Sequence, residues 1–374
     1  MGKAITIMPF PTLTLAAYLA EASPHVNINL SMSGAQSRSL KQLLALADTQ
    51  MRNLWDDLPL DYAASQGNLL LRTELAKQYA LDAQHILTFA GAVEAIYVAC
   101  HTLLSPGDRV IVITPCFEPL LAIPRTCQAN ITEIPLQNSD HAWTLDLQAL
   151  SDAITADTKL IIINFPHNPT GTTLSRDDFN TVLSLAEHVG AWVLSDEVFR
   201  LLQHEQDLTL LPAATLYDKA ISLGVMSKAY GLGGVRVGWI ACQDTALCSR
   251  MMNAKYYTSI CNGTTDECLA VMALRAQDTL IAHSLAIIQR NLQQLDALIA
   301  QHADQLSWHK AQAGCVAFPK LLTGSVTDFA TNLLKHHGIL VLPGHLFMQQ
   351  NNHFRIGFGQ ERFTQDLEVF AAAL

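Results

Sequence analysis

Short apolar runs recur through the middle of the chain, and helical patterns separate them. Arg109–Thr114 (RVIVIT) has Gly107 shortly before it and Pro115 after it. Lys159–Asn164 (KLIIIN) is stopped by Pro166, and Ala191–Ser195 (AWVLS) and Ala220–Leu223 (AISL) follow. Runs without polar alternation suit strands buried on both faces, as in a parallel sheet. The helical pattern Ala92–Leu104 follows Gly91. The pattern Arg176–His188 follows Ser175, a candidate N-cap, with Asp177 and Asp178 in its first turn. This alternation predicts a doubly wound α/β domain over roughly residues 45–260. Residues 280–300 read as a long amphipathic helix, and the C-terminal part mixes helices with strands such as Gly338–Leu342. Residues 1–44 and 261–374 are therefore expected to form a smaller α+β domain.

Composition narrows the partners. With 374 residues, half of them hydrophobic, the chain can bury a large core. Its net charge of −10 disfavours nucleic acid or an anionic membrane surface. The start, MGKAITIMPFPTLTLAAYLA, lacks the charged beginning and long apolar run of a secretory signal. The eight cysteines form no CxxC pair and read as reduced, mostly buried thiols, so a cytoplasmic protein is expected. The fourteen histidines show no HExxH or other tight ligand spacing, so no metal is expected.

One segment carries chemistry. Ser222–Trp239 (SLGVMSKAYGLGGVRVGW) sets Lys228 among small and apolar residues and returns Arg236 eight positions later. Desolvation lowers the pKa of such a lysine and frees its amine to attack a carbonyl. The glycines allow close backbone approach to a ligand, and an arginine can grip a phosphate with two parallel bonds. Other candidates fall at the carboxyl ends of the predicted strands, where ligands of parallel sheets gather. Asn164 and Asn168 follow KLIIIN, Asp196 follows AWVLS, and Phe117 follows RVIVIT. A buried Asp196 needs a partner: a protonated ring nitrogen, Arg200, or the backbone of a loop that it caps. Gly91, Ala92 and Val93 open a helix after the ILTF run, and its free N–H groups suit an anion.

These segments occur in a fixed order. Tyr62, Gly67 and Leu71-Arg72 come first, then Gly91–Ala95, then the SPGD turn at Pro106–Asp108. NPTG, SDEVF, SKAYGLGGVRVGW and FRIGFG follow. Together they resemble the fold-type-I pyridoxal 5'-phosphate (PLP) enzymes of the class I/II aminotransferase family, over roughly residues 60–360. The resemblance implies a PLP-dependent aminotransferase that moves an amino group between an amino acid and a 2-oxo acid. It implies that Lys228 holds PLP as a Schiff base and moves the α-proton, and that Asp196 pairs with the ring nitrogen. It gives Asn168 to the ring O3′ and Phe117 to the ring face. The cofactor phosphate would lie on Gly91, Ala92, Val93, Ser227 and Arg236. Tyr62 would reach the neighbouring subunit's cofactor, which implies a homodimer, and Arg355 would bind the substrate α-carboxylate beside Asn168.

Two positions depart from the family pattern. Phe199 stands where a tyrosine usually donates to O3′, and Val225 stands where a serine is usual three residues before the lysine. The lost donor predicts a raised pKa for the Schiff-base nitrogen. The departures keep a second reading open, another PLP reaction such as cyclisation or β/γ-elimination. SMSGAQSRSLKQLL and the SDEVFRLL region are similar to a subgroup that includes capreomycidine-synthase-like enzymes. A non-catalytic module is disfavoured by the intact set of Lys228, Asp196, Asn168, Arg236 and Arg355.

Overall fold

The computed structural model describes residues 10–139 and 142–374. Seven strands form the central sheet: β1 (Ile86–Phe89), β2 (Arg109–Thr114), β3 (Asn130–Pro135), β4 (Thr158–Asn164), β5 (Trp192–Asp196), β6 (Ala220–Val225) and β7 (Gly238–Cys242). Their order is β1-β7-β6-β5-β4-β2-β3, and only β7 runs antiparallel to its neighbours. Successive side chains of a strand face opposite sides. Here both sides are apolar and covered. Val110, Val112, Leu160 and Ile162 enter one core, while Ile111, Ile113, Ile161 and Ile163 enter the other. That double burial explains the unbroken apolar runs and bears out the α/β expectation.

Local chemistry sets the helix boundaries. Helix α1 spans Thr14–Ala22, α2 Ala92–Leu103, α3 Arg176–Val189 and α4 Gln277–Gln301. At the start of α3, Ser175 Oγ accepts the Asp178 N–H at 3.0 Å. At its end, Gly190 takes a left-handed conformation with φ of 70°. Gly91 precedes α2 with φ of 101°, a conformation that favours glycine.

The N-terminal segment crosses to the C-terminal part. Ile28–Asn29 pairs in parallel with Ile339–Leu340. Nearby, Val316–Ala317, Phe354–Gly357 and Leu342–Pro343 form a three-stranded antiparallel sheet. The strand expected over Gly338–Leu342 is thus two short strands, Ile339–Leu340 and Leu342–Pro343. Beyond Asn29 the chain runs on to the turn after β6, where the Ala35 N–H donates to the Lys228 carbonyl at 3.0 Å. Residues 30–35 therefore bridge the C-terminal sheet and the central sheet. No single described helix is long and apolar enough to cross a membrane.

Candidate active site

A cavity of about 450 Å³ opens at the carboxyl ends of β4, β5 and β6. Asn164 ends β4, Asp196 ends β5, and Lys228 lies just past β6. All three line the cavity, together with Phe117, Asn168, Ala92, Val93, Ser227, Arg236 and Arg355. Parallel topology brings the strand-end residues Asn164, Asp196 and Lys228 to one sheet edge, and the small antiparallel sheet adds Arg355 from Phe354–Gly357. Gly91 stands behind this lining. A Cβ there would collide with the Arg236 guanidinium. Tyr62 lies apart from the cavity of its own chain and is 84% exposed.

Lys228 Nζ donates to Ser33 Oγ at 2.7 Å and sits 5.7 Å from the Phe199 ring centre. Burial, helped by the Arg355 charge, pulls its pKa down to about 8. Asp196 is 4% exposed, and Oδ1 accepts one backbone N–H, that of Val198, at 3.2 Å. Burial pushes its carboxyl up to about 7. Arg200, the structural alternative for a partner, instead pairs with Glu197 at 3.5 Å. Glu197 points to the opposite side of the strand end, where Ser222 Oγ and the Ala213 N–H also donate to it. Asp196 is therefore a buried carboxylate without a cationic hydrogen-bond partner among the described residues.

A polar relay fixes the side chains around it. Asn164 Nδ2 donates to the Asp196 carbonyl at 2.9 Å, and Asn164 Oδ1 accepts the Asn168 N–H at 2.9 Å. Asn168 Oδ1 in turn accepts from Arg355 Nη1 at 2.9 Å. Arg355 Nη2 donates to the Ser31 carbonyl at 2.7 Å, and its buried Nε has no partner among the described residues. Burial lowers the Arg355 pKa to about 10. At the other end, Arg236 Nη1 and Nη2 donate to the Gly233 and Ala90 carbonyls, each at 3.1 Å. Arg236 has φ of 49°, unusual for a side chain with a Cβ.

Sequence reasoning points to the loops near Ser31–Gly34 and Phe117–Leu120 for specificity, but gives Ser33 and Glu118 no role within them and passes over α1. Ser33 meets the lysine, Leu15 and Leu19 of α1 form a cavity wall, and Glu118 holds that helix in place. The Glu118 carboxylate accepts from the Thr14 N–H, the Thr14 hydroxyl and the Leu15 N–H at 2.8 to 2.9 Å. Leu15 and Leu19 are four apart and share a helix face, a weak signal in so short an element. Glu118 follows Phe117 and gives no local sign of a contact more than 100 residues away.

The residues present suit PLP. Asp196, which has no cationic hydrogen-bond partner among the described residues, would meet a protonated ring nitrogen, the lysine a carbonyl, and Arg236 with the start of α2 a phosphate. Asp196, Lys228 and Arg236 line one cavity, so groups of both signs face the same space.

Comparison with known proteins agrees. The family model for aminotransferase class I and II matches residues 32–374. The chain is 31% identical over 369 residues to capreomycidine synthase of Streptomyces vinaceus, covering 97% of this chain and 93% of that protein. It is 28% identical over 309 residues to the arginine–pyruvate transaminase AruH of Pseudomonas aeruginosa, covering 79% and 77%. A PLP-dependent aminotransferase from Streptococcus suis superposes with a TM-score of 0.91, at 28% identity over 98% of both chains. The PLP-dependent cyclase OrfR superposes with a TM-score of 0.87 at 26% identity, covering 99% of this chain and 98% of that one. The chain belongs to the aminotransferase class I and II family, as a PLP-dependent enzyme of fold type I that transfers an amino group between an amino acid and a 2-oxo acid.

Proposed function

We propose that the cavity at the ends of β4 to β6 is the transamination site, with each role carried by the residue whose place was described above. The supporting observation is Asp196, a buried carboxylate without a cationic hydrogen-bond partner among the described residues, in the same cavity as a lysine of lowered pKa. Bound PLP supplies the electron sink that lets the substrate α-carbon give up its proton. Asp196 would keep the ring nitrogen protonated, Asn168 would reach O3′, and Phe117 would cover the ring face. Ser227, Arg236 and the amides of Gly91, Ala92 and Val93 hold the phosphate. Lys228 would hold the cofactor through its amine and would move the proton at the substrate α-carbon. Ser33 orients the Lys228 amine. Arg355 takes the α-carboxylate with the N–H groups that Nη1 and Nη2 keep beyond their bonds to Asn168 and Ser31.

The wider frame follows. Residues 45–260 form the large PLP-binding domain, and 1–44 with 261–374 the small one, of which residues 1–9 lie outside the described residues. Tyr62 completes the neighbouring subunit's site in a homodimer. Exposed Leu60, Tyr62, Tyr256 and Tyr257 flank segments joined where Lys255 Nζ meets the Ser65 carbonyl, and such a patch suits a subunit contact. Eight free cysteines, seven of them buried, fit a reducing, cytoplasmic setting.

Cyclisation is the second reading, supported by the similarity to capreomycidine synthase and to OrfR, and the arginine–pyruvate transaminase AruH makes a guanidino amino acid the substrate to try. The cavity supports it less. Among the described residues, Asp196 is the only carboxylate lining it, and Asp196 is committed to the ring. Incubating the purified protein with a panel of amino donors, without any oxo acid, decides between the readings. Transamination converts the cofactor absorbance to the pyridoxamine form. Product formation from a guanidino amino acid without that conversion supports cyclisation. Lys228→Ala should abolish the Schiff-base absorbance, and its persistence would remove Lys228 from the site.

A further inference from the structure

A buried polar network lies behind the phosphate end of the cavity, on residues with no role so far. Lys255 is fully buried. Its Nζ donates to three oxygens, none a carboxylate: the Thr88 carbonyl at 2.7 Å, the Ser65 carbonyl at 2.9 Å and Asn262 Oδ1 at 3.0 Å. A buried ammonium is costly unless its donors are satisfied, and these three acceptors satisfy all of them. Asn262 is 4% exposed, and Lys255 sets which way its amide faces. Asn262 Nδ2 donates to the Phe89 carbonyl at 2.7 Å and approaches the Arg236 carbonyl at 3.4 Å. The Thr88 hydroxyl lies 3.1 Å from Asn262 Oδ1 and 3.2 Å from Glu267 Oε1, which closes the network.

The location gives these bonds a purpose. Phe89 and Gly238 are the last partners where β1 and β7 run side by side. Past them the strands fork. One branch becomes Gly91 and the first turn of α2, and the other carries Arg236. Those two branches are the two halves of the phosphate cup. Arg236 must also keep its left-handed φ of 49°, at a conformational cost of about 1 kcal/mol for a residue with a Cβ. Asn262 spans the fork, with one bond to each branch.

We propose that Asn262, oriented by buried Lys255, is a positioning residue for the cofactor phosphate, clasping β1 to β7 so that Arg236 and the first amides of α2 converge on one anion. The proposal depends on the assignment of Arg236 and the α2 amides to that phosphate.

The test separates phosphate recognition from general stability. Holoenzyme of the wild type and of Asn262→Leu, Asn262→Ser, Lys255→Met and Arg236→Gln is stripped, then titrated with PLP and with pyridoxal, which has no phosphate. The clasp predicts a PLP dissociation constant raised at least about ten-fold in the Asn262 and Lys255 variants, with pyridoxal affinity changed less than about two-fold. Equal losses for both ligands would show a merely structural role and overturn the proposal, as would unchanged PLP affinity. If Arg236→Gln weakens PLP while the Asn262 variants do not, the clasp alone is wrong. If Arg236→Gln leaves PLP affinity intact, the phosphate assignment falls and the clasp with it. Should Lys255→Met fail to fold, Asn262→Ser, which keeps a small polar group, gives the deciding measurement.

Discussion

Arg355 Nη1 donates to Asn168 Oδ1 across 2.9 Å, joining residues 187 positions apart. The proposed carboxylate anchor and the proposed ring contact are therefore one unit, and a substrate carboxylate must share the guanidinium with Asn168. Asn168→Asp places a charge where the amide oxygen now accepts, so the guanidinium gains a competing internal partner. KM for the amino donor should rise more than about ten-fold, with the cofactor still bound by absorbance. Arg355→Lys loses the forked geometry and should lower kcat/KM by roughly a hundred-fold or more. Unchanged KM in both variants would place the carboxylate elsewhere.

Asp196 makes stability depend on pH in a defined direction. Its carboxyl titrates near 3.8 when unfolded and near 7 when folded. Between those values the folded chain keeps a proton that the unfolded chain has released. Stability therefore falls as pH rises through this window. In the cofactor-free protein the loss approaches roughly 4 kcal/mol at pH 7 as an upper bound. Asp196→Asn should remove the decline, seen as a flatter profile of denaturant midpoints between pH 4 and 7. Parallel profiles for the two proteins would mean that Asp196 ionises without cost.

Phe199 is fully buried, and its ring lies 5.7 Å from Lys228 Nζ. No hydroxyl is available at this position to favour the deprotonated Schiff base. The pKa of that nitrogen, followed by cofactor absorbance against pH, should lie above that of tyrosine-containing relatives. Phe199→Tyr should lower it by about one unit or more if the new hydroxyl reaches O3′. A wild-type midpoint already as low as in those relatives defeats the idea.

Glu118 caps α1 from outside the helix, since Leu13 at its N-cap offers no side-chain acceptor. Glu118→Ala leaves three donors without their acceptor and should cost about 1 kcal/mol. Because α1 carries the Leu15 and Leu19 wall, KM for the amino donor should also rise a few-fold, and α1 amides should exchange faster with solvent. Loss of stability without faster exchange in α1 would point to a different role for Glu118.

The sequence determined the sheet, the helix boundaries around it and most of the site. Apolar residues at both parities of β2 and β4 demand cover on both faces, and only a sandwiched parallel sheet offers it. That topology gathers strand ends, so Asn164, Asp196 and Lys228 could be placed together before any coordinate was known. Only the tertiary structure decided what each polar group meets. The spacing of Asp196 and Arg200 allowed a pair, yet Glu197 takes the arginine because successive side chains at a strand end face opposite ways. Ser33, Glu118 and Asn262 act across separations of 26 to 195 positions, and contacts at that range leave no periodic trace in the chain. Periodicity records which face of an element is buried. It does not record which group waits on the other side, because that is fixed by how distant elements pack.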